Sequence, residues 1–290
     1  MDERTLQAGL RAARYIADPG LVTTLWLALE INRPVLIEGD AGVGKTAVAG
    51  ALAQALGQRL IRLQCYEGLD LQQAVYEWNY GRQLLAIRLH EHDASELREQ
   101  DLFGRDYLLE RPLLAAITSA TPCVLLIDEI DRADEAFEAY LLEALSEFQV
   151  TIPEIGTLRA ESLPAVVLTS NGTRDLSDAL RRRCLYTFLD YPSLAREIEI
   201  VRVTLPDAET RLVEQAVAYV QKLRRDDLQK TPGIAETIDW VRALCRLDLK
   251  VLPDDPAITL DTLSCLLKTR EDRALVRTRE QVRSAELAMV

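Results

Sequence analysis

Pro34-Val35-Leu36-Ile37-Glu38 runs straight into Gly39-Asp40-Ala41-Gly42-Val43-Gly44-Lys45-Thr46, and an Ala- and Leu-rich stretch then continues to Leu56. The first five residues are a short apolar run with β-branched side chains, bounded by proline and glycine, which predicts a buried strand. Residues 45 to 56 predict a helix that stops before Gly57. The eight residues between fit G-x-x-x-x-G-K-[ST] throughout. Glycines let the backbone turn its N–H groups toward phosphate oxygens, and the following helix N-terminus adds a favourable field. Lys45 is suited to neutralising β and γ phosphates, and Thr46 offers a hydroxyl to Mg²⁺. A chance glycine-rich turn would lack the strand before and the helix after. The expected nucleotide-binding residues are therefore Gly39, Asp40, Ala41, Gly42, Val43, Gly44, Lys45, Thr46 and Ala47, with ATP and Mg²⁺ as cofactors.

Further along, Val124-Leu125-Leu126-Ile127-Asp128-Glu129 places two carboxylates at the end of a second apolar run. Ligands bind at the carboxyl ends of strands in open α/β sheets, so the pair falls where a phosphate loop needs it. Asp128 is expected to join the nucleotide-binding set and, with Thr46, to hold the metal, Asp128 acting through water. Glu129 is expected to orient and polarise an attacking water, which suits hydrolysis; a kinase would present a substrate hydroxyl instead. The plain alternative is two solvated acids at a strand end.

Working outward, Leu60–Leu63, Cys123–Ile127, Ala165–Thr169 and Leu185–Leu189 read as further strands separated by helices, which predicts a parallel α/β sheet. The apolar spacing over 134–148 predicts an amphipathic helix, and 149–158, with Pro153 and Gly156, a hairpin. Asp18-Pro19-Gly20 breaks the helical pattern near the start. Residues 65–110 are the least regular; Tyr76, Trp78, Tyr80 and Gly81 suggest a loop or hairpin. From Ser193 the pattern is helical only, over about 195–202, 207–228, 234–247 and 256–268. The expected organisation is a nucleotide-binding α/β domain over 1–192, a helical lid over 193–270 and a charged tail over 271–290.

The chain has 290 residues, a formal net charge of -12 and a sequence pI near 4.8. An acidic surface repels a phosphate backbone, which argues against nucleic acid as the main partner. The five cysteines include no C-x-x-C pair and read as reduced thiols. The start lacks a signal-peptide pattern, and no apolar run reaches the roughly 18 residues of a membrane span. A cytoplasmic location without a membrane span is expected.

Asp128-Glu129-Ile130-Asp131-Arg132-Ala133, followed by Leu141-Leu142-Glu143-Ala144-Leu145-Ser146-Glu147-Phe148-Gln149-Val150-Thr151-Ile152, resembles the MoxR family of AAA+ ATPases. That family carries D-E-I-N-R, then L-L-E-A-M-x-E, then a V-T-I hairpin; Asp131 stands where it has Asn. The resemblance runs from about residue 10 to about 270. It implies an α/β/α three-layer P-loop domain followed by a small helical domain, and a homo-oligomeric ring, a hexamer. Leu168-Thr169-Ser170-Asn171 is similar to the family's sensor-1 strand end, which implies that Asn171 positions water beside the γ-phosphate. Leu180-Arg181-Arg182-Arg183-Cys184 resembles the segment bearing the arginine finger that reaches a neighbour's nucleotide, which implies catalytic Arg183, with Arg182 the rival. Thr231-Pro232-Gly233 departs from the family's Ser-Pro-Arg, so the sensor-2 arginine is missing; either a residue such as Arg242 replaces it or the role is absent. The stretches Leu63–Asp70 and Trp78–Leu85 resemble the CoxD-like branch. That implies maturation or remodelling of a metalloenzyme client together with a partner carrying a von Willebrand factor A domain.

Weaker signals have plainer readings beside them. His90-Glu91-His92 has metal-pair spacing on a strand but no third ligand. Tyr66, Tyr76, Trp78 and Tyr80 suit either a partner surface or local packing. Arg105, Arg111 and Arg132 suit nucleotide, neighbour or ordinary salt bridges. Three rival functions stand beside the ATPase: a nucleotide-gated scaffold with negligible turnover, a nucleic-acid motor, and a small-molecule kinase.

Overall fold

Strands as apolar as Cys123–Ile127 satisfy their backbone polar groups only by pairing on both sides, so they belong in the middle of a sheet. The computed structural model describes residues 1–90, 102–253 and 256–287 and places that run in a five-stranded parallel sheet. Its strands are β1 (Val35–Glu38), β2 (Arg59–Gln64), β5 (Cys123–Asp128), β8 (Ala165–Ser170) and β9 (Leu185–Phe188), in spatial order β2-β5-β8-β1-β9. All six residues of β5 are buried. Register sets Gln64 opposite Asp128, Ile37 opposite Thr169 and Glu38 opposite Ser170. The order steps away from β1 in both directions, which opens the carboxyl edge where ligands bind in such sheets.

The helices start where short polar side chains cap them. Asp2 caps α1 (Glu3–Ala12), and Asp18 caps α2 (Pro19–Glu30), whose Pro19 occupies the first turn. α3 (Lys45–Leu56) follows the phosphate loop, and α4 (Leu71–Ala74) is a single turn. α6 (Pro112–Ile117) precedes β5; Asp134 caps α7 (Glu135–Glu147), and Ser177 caps α8 (Asp178–Arg183). Phe137, Leu141, Ala144 and Leu145 turn inward from α7 onto the sheet core, as the helical spacing predicts. The hairpin after α7 is β6 (Gln149–Ile152) paired with β7 (Gly156–Arg159).

The irregular stretch folds differently from the expectation. β3 (Tyr76–Trp78) pairs antiparallel with β4 (Leu108–Glu110), and α5 (Tyr80–His90) begins directly after β3, so no local hairpin forms. Asn79 and Gly81 resemble turn residues, but Asn79 instead starts the helix by accepting from Arg82 N–H at 3.0 Å. Trp78 packs edge-on against Phe103 and Tyr76, so these rings are local packing, while Tyr80 is exposed. Glu91 and His92 lie outside the described residues. Arg111 pairs with Glu77 in a surface salt bridge.

The chain divides into two units. One comprises Met1–Ala13, Ala17–Gly39 and Lys45–Phe188; the other gathers Arg14–Ile16 and Asp40–Gly44 with Leu189–Val290. The second contains α9 (Leu194–Thr204), α10 (Thr210–Leu223), α11 (Ile234–Arg246), α12 (Pro256–Thr262) and α13 (Arg270–Leu287) around Trp240, Val217, Leu244 and Leu266. The charged stretch near the C-terminus is helical as far as Leu287, and Val276 on it is buried. Thr269 accepts from Asp272 N–H at 3.1 Å, and Asp272 accepts from Gln229 and Lys230, which ties the start of α13 to the bundle.

Candidate active site

In the first unit, β1 delivers Gly39 and α3 opens on Lys45 and Thr46. Lys45 is buried, and its Nζ donates to the Gly39 carbonyl at 2.6 Å, so an aliphatic stem crosses the core while the ammonium stays at the loop. The Thr46 hydroxyl is 3.0 Å from Asp128 Oδ1 and 3.3 Å from Oδ2. The strand order, with β8 between β1 and β5, brings these residues together from positions far apart in sequence. A hydroxyl and a carboxylate side by side are hard oxygen donors, which fits Mg²⁺.

Asp128 is almost wholly buried and carries further partners. Thr169 Oγ1 donates to Oδ1 at 2.6 Å and itself accepts from Glu129 N–H at 2.9 Å. Arg62 Nη2 lies 2.5 Å from Oδ2. Glu129 leaves the strand in the left-handed region at φ 55°, ψ 51°, a conformation costing a non-glycine residue about 1 kcal/mol or more. Its carboxylate accepts from Gln64 Nε2 at 3.1 Å and sits 3.4 Å from Arg132.

Asn171 follows β8, in the sheet position between β5 and β1, and its N–H donates to Asp131 Oδ2 at 3.2 Å. Thr173 donates to the same oxygen through its N–H and its hydroxyl. Burial pushes the Asp131 carboxyl upward, but these hydrogen bonds prevail and hold it below the ordinary carboxylate value. Cys65, behind the acid pair, is pushed to about 12 by burial and then by the charges of Asp128, Asp131 and Glu129. A buried thiol so raised is inert.

Of the three arginines on α8, Arg181 pairs with Glu38 at 3.3 Å, whereas Arg182 and Arg183 are exposed. Arg33 donates to the carbonyls of both Arg182 and Arg183, which fixes the end of the helix.

In the second unit, Asp40–Gly44 carries positive φ at Gly42 (83°) and Gly44 (95°), where side chains are strained. The loop carbonyls are held from outside: Tyr191 hydroxyl donates to Ala41 O at 3.2 Å, and Ile234 N–H to Gly42 O at 3.0 Å. Two loop carbonyls are thus engaged, and a glycine-rich turn of this kind suits the binding of an anion such as phosphate. A Cβ on Gly233 would lie 2.7 Å from Gly42 Cα and 2.7 Å from its carbonyl oxygen. Backbone thus lies against backbone at the position where the family resemblance leads one to expect an arginine. Arg242 pairs with Asp239 at 2.6 Å on the exposed side of α11.

Sequence reasoning missed Arg62, Gln64 and Thr169 as partners of the acid pair. A strand period of two puts Arg62 and Gln64 on one face of β2, and that pattern was the available signal.

A parallel sheet of this order, a phosphate-loop motif between β1 and α3, and an acid pair at the end of β5 are the architecture of a P-loop domain of the AAA+ class. The family model described as "AAA domain (dynein-related subfamily)" matches residues 34–184, and the chain belongs to that family. Among curated relatives, gas vesicle ATPase GvpN1 of Halobacterium salinarum is 27% identical over 273 residues, covering 89% of this chain and 74% of that protein. Gas vesicle ATPase GvpN of Haloferax mediterranei is 26% identical over 256 residues, covering 84% and 71%. Among solved structures, a RuvB point mutant from Thermotoga maritima shares the fold at TM-score 0.52 and 22% identity, covering 86% of this chain and 70% of that one. No helix among the described residues is long and apolar enough to cross a membrane.

Proposed function

We propose that this chain is a Mg²⁺-dependent ATPase of MoxR type, organised as an α/β nucleotide-binding domain to residue 192 and a helical domain over 193–270. It would work as a homo-oligomeric ring, a hexamer, remodelling or maturing a metalloenzyme client together with a von Willebrand factor A domain partner, in the manner of the CoxD-like branch. The observation that carries the ATPase reading is the contact of Thr46 with Asp128, with Glu129 next to it at the strand end. The AAA family match and the likeness to proteins named as ATPases support it.

In this reading the loop N–H groups of residues 40–44 and Lys45 bind the phosphates. Thr46 and Asp128 hold Mg²⁺, which when bound offsets charge on the transferring phosphoryl group. Glu129 orients water, and Asn171 assists it. Arg183 of a neighbouring copy completes the electrostatic cradle, so turnover depends on assembly.

Two observations favour the scaffold reading: Gly233 offers no arginine, and Glu129 is engaged by Gln64 and Arg132. Phosphate release with Mg-ATP, measured for wild type and Glu129→Gln with sizing in parallel, separates the two. The ATPase reading expects wild-type turnover and a loss of about 100-fold or more in the variant at retained ATP binding. Nucleotide binding without hydrolysis by either protein, assembled or not, would leave only the scaffold.

A further inference from the structure

Arg62 lies two residues before Gln64 on β2, and β2 runs parallel to β5 with Gln64 opposite Asp128. Its Nη2 is 2.5 Å from Asp128 Oδ2 and 2.5 Å from Gln64 Oε1, and Gln64 Nε2 is 3.1 Å from Glu129 Oε2. Two side chains of one strand therefore link both acids of the next. Asp128 Oδ1 already accepts from Thr169 and Thr46, so Arg62 sits on the oxygen with more capacity left. The ion pair is lopsided: the Asp128 side chain is 2% exposed and that of Arg62 51%. A buried carboxylate needs a compensating charge, and a half-exposed arginine supplies one that swings back into water at small cost.

We propose that Arg62 is the resident counter-ion of Asp128: it neutralises the carboxylate until a divalent cation arrives with nucleotide, then gives up Oδ2. The proposal rests on reading this site as one for Mg-nucleotide. A guanidinium and a divalent cation repel strongly at such a separation, so they exclude one another at one oxygen. Because the same guanidinium holds Gln64, and Gln64 holds Glu129, metal loading on the first acid loosens the second. Arg62 is a positioning residue in this scheme, acting through Asp128 and Gln64.

The test uses the full chain with Mn²⁺ and ADP as probes, reading free Mn²⁺ by electron paramagnetic resonance and melting temperature in EDTA. Arg62→Met is expected to take up Mn²⁺ at about tenfold lower concentration than wild type, a modest release of charge repulsion. It is also expected to melt lower in EDTA, with the gap closing once Mn²⁺ and ADP are added. Arg62→Lys keeps the charge and should bind Mn²⁺ like wild type. Should the methionine variant fail to fold, Arg62→Gln, neutral but polar, carries the same expectation. Mn²⁺ uptake by the neutral variants no tighter than wild type, or an equal shift in the lysine variant, overturns the role of Arg62 alone. Absence of Mn²⁺-ADP binding by wild type overturns the nucleotide reading itself and this proposal with it.

Discussion

Each unit of the molecule buries a carboxylate against an arginine, Asp128 against Arg62 in the first and Glu197 against Arg224 in the second, and these two pairs are built differently. In the second unit, Arg224 is 6% and Glu197 0% exposed, and both prongs of the guanidinium meet the carboxylate at 2.6 Å. Thr237 and Gln221 also donate to Glu197; Arg224 Nε donates to Pro232 O, and the guanidinium lies 4.7 Å from the Tyr191 ring centre. In the first unit, Asp128 is equally hidden, yet Arg62 touches it with one nitrogen and stands half in water. A saturated pair fixes a frame, whereas a pair with one contact and an exposed partner is free to exchange it.

Breaking the saturated pair should have the largest effect. Arg224→Ala leaves a buried unpaired charge and is expected to cost about 3–5 kcal/mol in chemical denaturation, while Arg224→Met combined with Glu197→Leu recovers most of the loss. Arg62→Met should cost much less, and its deficit, unlike that of Arg224→Ala, should vanish with Mn²⁺ and ADP.

A smaller effect tests what the frame holds. Arg224 fixes Pro232, and the next residue, Gly233, lies on Gly42 of the phosphate loop. Gly233→Ala is expected to shift that loop and weaken ADP binding by about 1–2 kcal/mol, an overpacking cost, with little change in the melting temperature of the nucleotide-free chain. Isothermal titration read beside melting separates the two. An unchanged affinity would mean that the loop gives way freely.

The smallest effect belongs to Asp131, whose carboxylate is stabilised by hydrogen bonds from Asn171 and Thr173. Its native value lies below the ordinary one, so its stabilisation is full above the unfolded value near about 3.9 and fades as pH falls through the native value. Asp131→Asn should remove that slope. The stability difference between wild type and variant, about 1 kcal/mol at pH 6, should shrink below about pH 4 in a melting series.

The sheet was legible chiefly because β1, β5 and β8 are short, largely apolar runs that each follow a proline, and the phosphate loop because its residue types are demanded by backbone geometry. The acid pair was legible for the same reason: Asp128 and Glu129 end a run that is otherwise apolar. α5 was not, since Tyr80–His90 mixes aromatic, aliphatic and basic residues with Leu84, Leu85 and Leu89 exposed, so no apolar face announces a helix. Charge similarly hid α13, which rests on single anchors such as Val276 and Asp272. The strand period of two sets Arg62 and Gln64 on one face, but what that face meets depends on which strand stands beside β2, a tertiary fact that the pattern alone does not encode.

The meeting of Gly42 with Gly233 also constrains how such a chain changes over generations. A Cβ on Gly42 would stand 2.9 Å from Gly233 Cα, and one on Gly233 would stand 2.7 Å from Gly42 Cα, so each glycine withholds permission from the other. An arginine at residue 233 is therefore not one mutation away: the loop would have to move first, and a moved loop has no reason to keep its neighbour bare. Once two backbones have closed on each other, the path to a side chain at either position runs through a chain that does neither job well.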